Sequence, residues 1–161
     1  MRNSVLIATF IALAGITACE QTTAQTEPAP VTTTSSSALA SASDFATTNA
    51  RLKGAIEARG LTLFAMVDHA AGAAKVDKAL APNTLYIFGN PNAGTPLMQA
   101  NPAFGIDLPL KAHVYEQDGK VYVAVSDIRG LTSAAGISDP APVINKVAET
   151  LSAIQSEAAG A

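Results

Sequence analysis

LKAHVYEQDGKVYVAVS, residues 110–126, contains two strands and the turn that joins them. Alternation runs from Leu110 to Glu116 and resumes from Lys120 to Ser126. Between the two lies Gln117-Asp118-Gly119, whose Asp-Gly pair suits a tight antiparallel turn. Because side chains alternate across a sheet, the hairpin has two unlike faces. One carries Ala112, Val114, Val121, Val123 and Val125; the other carries Lys111, His113, Tyr115, Tyr122, Ala124 and Ser126.

Upstream, the same alternation marks Leu61 to Asp68 and Thr84 to Phe88 as strands. Extending the partition puts Leu63, Ala65, Val67, Leu85 and Ile87 with the small aliphatic set, which is expected to pack against helices. Phe64, Met66, Asp68, Tyr86 and Phe88 then join the aromatic set. That second face is too apolar to be bare and too polar to be plain core, so it is expected to meet a ligand or a second subunit, with cover by a loop or the linker as the alternative. A bulge would invert a strand's two faces.

Helical segments fill the intervals. Thr47 or Thr48 is expected to cap a helix carrying Leu52, Ala55 and Ile56, with Gly60 as its stop. Ala70 to Leu80 is a short Ala-rich candidate, and Thr95-Pro96 suits the start of a helical turn over Leu97 to Ala100. Asp139-Pro140 opens the last helix, with Val143, Val147, Leu151 and Ile154 as its apolar stripe.

The N-terminus has a different character. Arg2 precedes an apolar run from Val5 to Ile16, shorter than the roughly 20 residues that span a bilayer and suited to a secretory signal. Ile16-Thr17-Ala18-Cys19 resembles the lipobox of bacterial lipoproteins. That resemblance implies a signal peptide over residues 1–18 and acyl chains (palmitate among them) on Cys19, the one cysteine of the chain. Each buried methylene contributes about 0.8 kcal/mol, so several chains would anchor the protein stably. Residues 19–43 are rich in Thr, Ser, Ala and Pro and are expected to be a flexible linker spanning roughly 25–30 Å. The expected address is the cell envelope, facing the periplasm. Glu20, rather than Asp, after the lipidated residue favours the outer membrane over the inner.

A net charge of −3 with ten scattered basic residues leaves no stripe to neutralise phosphates, which argues against nucleic acid as a partner. The sequence has no Walker A loop, no GxGxxG, no HExxH and no GxSxG turn. The spacing of His69 and His113 is not that of an established metal site, and none is expected; no cofactor is implied.

Asp68-His69, Phe88-Gly89-Asn90-Pro91, Gly94-Thr95-Pro96-Leu97-Met98 and Asp107-Leu108-Pro109 resemble the family of domain of unknown function 302. The resemblance covers roughly residues 44–161 and implies a single α+β domain of the TATA-binding-protein-like type, ordered β-α-β(4)-α. Its antiparallel sheet would carry helices on one face. The order fits if Phe45 begins an edge strand or if fewer strands follow Leu110. No established reaction comes with the family. Members often show an Arg-His pair before a Gly where this chain has Ala134-Ala135-Gly136, so any site using that His is missing here.

Asp68, His69, Asn90 and Thr95 are therefore the candidate polar rim of a binding site, with Phe64, Tyr86 and Tyr115 as its apolar floor. Binding of a small ligand or protein partner is the leading expectation. An enzyme using Asp68 and His69 as an acid–base pair or weak metal site is the alternative. A structural homodimer joined through the aromatic face is the third. Each candidate also has a structural role open to it: Asp68 and Thr95 as helix caps, Asn90 as a turn residue, His69 as packing at a sheet corner.

Overall fold

The computed structural model describes residues 37–161. The expected signal peptide, the expected lipidation at Cys19 and the expected linker as far as residue 36 lie outside the described residues. The elements run β1 (Leu39–Ala40), α1 (Phe45–Ala58), β2 (Thr62–Asp68), α2 (His69–Ala74), β3 (Asn83–Gly89), α3 (Pro91–Ala100), β4 (Leu110–Gln117), β5 (Lys120–Val125), α4 (Ile128–Ala134) and α5 (Ala141–Ala159). One antiparallel sheet has the order β1-β5-β4-β3-β2, and α1 and α5 pack together across one of its faces. The architecture is α+β, and the strands keep the order β-α-β(4)-α with short helices inserted.

The first strand of that order is Leu39–Ala40, not Phe45. Leu39 pairs with Val123 and Ala40 with Tyr122, and Gln155 Nε2 donates to Ser37 O and Val123 O, clasping this edge to α5. The domain therefore takes up residues that composition had placed in the linker. Asp44, rather than Thr47 or Thr48, caps α1 by accepting from the Thr47 N–H at 2.7 Å. Thr48 is instead buried inside the helix and donates to Asp44 O.

The hairpin forms as its sequence dictates. Asp118 and Gly119 both have positive φ, 53° and 71°, the pairing that a two-residue turn needs to match strand twist. Its faces are those expected: Ala112, Val114, Val121, Val123 and Val125 are buried under the helices.

The partition fails on the other two long strands. Tyr86 pairs with Ala112 and Phe88 with Leu110, which places both aromatics on the helix-covered side, where they are 2% and 0% exposed. Burial of such large rings outweighs keeping a uniformly small inner face. The single polar atom of Tyr86 is satisfied there, its OH donating to Asn49 Oδ1 at 2.7 Å. Leu85 and Ile87 turn to the opposite face beside His113 and Lys111. In β2 a bulge at Phe64 shifts the register between Leu63 and Ala65. Leu63 faces the helices with Phe88, whereas Ala65 and Val67 pair with Ile87 and Leu85 on the uncovered face.

The Ala70–Leu80 candidate shrinks to His69–Ala74, because none of its residues is buried and Ala side chains alone cannot hold a longer helix there. The helix before β4 is longer than expected: Asn90 caps it and Pro91 takes its first position, so Thr95 and Pro96 lie inside it. In α5 the buried face is Ile144, Leu151, Ile154, Gln155 and Ala158, with Val143 and Val147 only half-buried.

Candidate functional site

The end of β3 and the start of α3 set one wall of a cleft. Asn90 accepts from the Asn92 N–H through Oδ1 at 2.9 Å, and its backbone carbonyl takes the Ala93 and Gly94 N–H groups. Those amides are thereby used within the helix start and leave no donors in this set for an anion. The Asn90 carboxamide NH2 has no acceptor among the described residues.

Behind this cap lies a cavity of about 210 Å³. Phe64, Leu97, Met98, Leu108, Pro109 and Ile128 form its apolar walls, and Asn90 and Thr95 are the polar side chains that line it. Gly94 makes room for these walls: a Cβ there would meet Leu108 Cδ1 at 3.2 Å, whereas one at Gly89 would make only ordinary contact with Phe64 Cε2 at 3.5 Å. The bulge explains Phe64: as the extra residue in β2 it leaves the pairing ladder, remains 53% exposed and covers the cavity's edge.

A wider cavity of about 560 Å³ shares Gly89, Asn90, Ala93, Leu110 and Val147 with the first, so the two are continuous along α5. Its rim carries Arg59, Lys146, Glu149 and Thr150. The Arg59 guanidinium is engaged, donating to Ala55 O and to Glu157 Oε2, both at 2.8 Å.

Asp68 and His69 stand apart from this cleft. Thr62 pairs with Gly89 at one end of β2 and Asp68 pairs with Thr84 at the other. Six residues at about 3.3 Å each separate them by roughly 20 Å. Their expected convergence with Asn90 assumed that strand C-termini share an edge, and antiparallel neighbours put them at opposite edges. Asp68 Oδ1 accepts from the Ala71 N–H at 2.8 Å and caps α2, and it makes no hydrogen bond to His69. The acid–base pair is thus not assembled. Among the described residues no three His, Cys, Asp or Glu side chains cluster for a metal.

The proposed floor is also divided. Phe64 lines the cleft, Tyr86 is core, and Tyr115 lies on the uncovered sheet face. There it stacks between His113 and Tyr122, at ring-centroid distances of 4.9 and 5.4 Å, and His69 meets His113 edge-on at 6.4 Å. His113 Nε2 donates to Asn83 Oδ1 at 2.6 Å.

Burial, and then the neighbouring His69, push the His113 pKa below its usual 6.5. A base with a depressed folded-state pKa is stabilising above the unfolded value, and that stability is lost as pH falls through the folded value. Urea midpoints measured from about pH 7 down to about pH 5 are expected to fall in the native chain. The decline should be shallower in His113→Gln.

Ile128 and the capped helix α4 went unpredicted, although Asp127, which accepts from the Gly130 N–H, is a recognisable cap. Lys146 carried no signal at all, being one more charge on the polar side of a helix.

The geometry agrees with comparisons to known proteins. The family model described as "Domain of unknown function DUF302" matches residues 37–158, starting just ahead of β1. The crystal structure of an uncharacterized conserved DUF302 protein from Bacillus stearothermophilus superposes with a TM-score of 0.69 at 16% identity, covering 78% of this chain and 98% of that one. That likeness concerns the fold. A 78-residue stretch is 42% identical to Fluoride-specific ion channel FluC 1 of Brucella suis biovar 1, covering 48% of this chain and 31% of that protein. FluC 1 of Brucella abortus biovar 1 matches at the same identity over 29% of its length. The chain thus spans less than a third of the curated relatives it matches. With the family model covering residues 37–158, about three quarters of the sequence, the chain belongs to the DUF302 family.

Proposed function

We propose that this chain is a cell-envelope lipoprotein, anchored through Cys19 and facing the periplasm, whose domain binds a small, largely apolar ligand. The observation that carries the reading is the convergence of three separated motif segments on one cavity. Gly89-Asn90-Pro91, Gly94-Thr95 with Leu97-Met98, and Leu108-Pro109 all line it. An apolar pocket with few polar groups is the usual form of a small-molecule site. The polar rim is reduced to Asn90 and Thr95. Asp68 and His69 are assigned to the helix cap and to the stacked face. A segment shared with proteins named as ion channels supports an address beside a membrane, and channel activity is not part of the proposal.

The full-length protein purified from membranes is expected to gain several degrees in Tm with single-chain apolar compounds. Gly94→Leu, which fills the cavity against Leu108, should abolish the gain. An equal gain in Gly94→Leu, or no gain in the native chain with any such compound, contradicts the reading. The intact mass of the same preparation should show acylation at Cys19.

A second reading rests on the sheet face opposite α1 and α5, where Val67, Leu85, Ile87, Tyr115 and Tyr122 lie side by side. Such a face suits a homodimer contact. A sedimentation mass of one chain across the micromolar range would count against it.

A further inference from the structure

The cleft is unlike at its two ends, and that difference narrows the ligand. In the smaller part no ionisable side chain lines the wall. In the wider part three do, and their pairing decides the local charge. Arg59 is neutralised by Glu157 at 2.8 Å. Glu149 sits on the same rim, one turn of α5 from Lys146, yet the two do not close to salt-bridge distance. The Lys146 ammonium has neither an ion pair nor a hydrogen bond among the described residues. It also lines a third opening of about 320 Å³ that it shares with Asn90 and Asn92. Among the described residues, Lys146 and Glu149 thus both stand unpaired on the rim, but it is the ammonium that also reaches the third opening beside Asn90, near the unused NH2 of that residue.

We infer that the ligand is a single-chain amphiphile with an anionic head, its alkyl tail among Phe64, Leu97, Met98 and Leu108 and its head at Lys146 and Asn90. The inference rests on the cleft being the binding site and adds the chemical class of its occupant. Long apolar tails gain by leaving water in proportion to buried area. The slot accepts them without stranding a charge. An anion at the mouth gains an ammonium that has no other partner among the described residues, a pairing open to neither an alcohol nor a quaternary amine.

The test uses the full-length protein titrated with decanoate, decanol and decyltrimethylammonium, each below its micellar concentration. Decanoate is expected to bind most tightly and the cationic probe least. Lys146→Gln should weaken decanoate about fivefold, the scale of one partly exposed ion pair, and leave decanol unchanged. Phe64→Ala should weaken both. Lys146 is exposed on α5, so its variant is expected to keep the native Tm. If decanol matches decanoate and Lys146→Gln changes neither, the headgroup assignment is overturned while the cleft stands. If none of the probes binds, or Phe64→Ala and Gly94→Leu leave binding intact, the cleft itself is overturned.

Discussion

Phe88→Ala is expected to destabilise the domain by about 3–5 kcal/mol, read as a lower urea midpoint at unchanged slope. Phe88 is 0% exposed and sits on the helix-covered face of β3, in register with Leu63 and Leu110. Truncating it removes a whole ring from water-free contact and leaves a cavity that the flanking sheet backbone cannot collapse into. Domains of this size are commonly stable by about 5–15 kcal/mol, so the loss is a large share of the total. Phe64→Ala is the internal control. That ring is 53% exposed at the bulge, and its removal should cost about 1 kcal/mol or less. Equal costs at the two positions would mean that β3 and β2 carry their faces the other way round.

Phe104→Ala is expected to cost about 3 kcal/mol and to damage the cleft as well. Phe104 is 1% exposed within the 3-10 turn Pro102–Asp107, a segment with no strand or helix periodicity. The turn is held by Asn101, which accepts from the Ala103 N–H and donates through Nδ2 to Ala135 O, both at 3.0 Å. Phe104 is its one buried anchor, and Leu108 and Pro109 of the cleft wall follow directly. Hydrogen exchange should quicken at Phe104 and Leu108, with the β4–β5 hairpin keeping its protection. Ligand-induced stabilisation should shrink in the same variant. Unchanged exchange at Leu108 would show that the wall is held by something other than this ring.

Much of the fold is legible in the sequence because its strongest signals are local. The Asp118-Gly119 turn, the alternation of β4 and β5 and the start of α5 near Pro140 all appear where pattern places them. What escaped depends on distant partners. Two residues at Leu39–Ala40 cannot announce a strand; β5 and Gln155 make them one. Tyr86 looks like a surface aromatic until Asn49, one turn into α1, is seen to accept its hydroxyl proton. The bulge at Phe64 has no Gly or Pro to mark it, yet it reverses the remainder of β2.

The candidate site divides along the same line. Asn90 and Thr95 lie near a turn in a recognisable motif, and they do line the cavity, although Thr95 caps nothing. Asp68 and His69 could join them only at a common sheet edge, a question of topology that adjacency in sequence cannot answer. Lys146 reaches the cleft because α5 packs against α3 and shares a cavity with the end of β3, a relation between residues almost sixty positions apart.

Whether the motif-lined cleft is the ligand site is tested most directly by amide chemical shifts of the isotope-labelled full-length protein titrated with decanoate. Perturbations are expected to concentrate at Phe64, Gly94, Leu97, Leu108 and Lys146. Perturbations confined to Val67, Leu85, Tyr115 and Tyr122 on the bare sheet face, or none at saturating probe, would contradict the account.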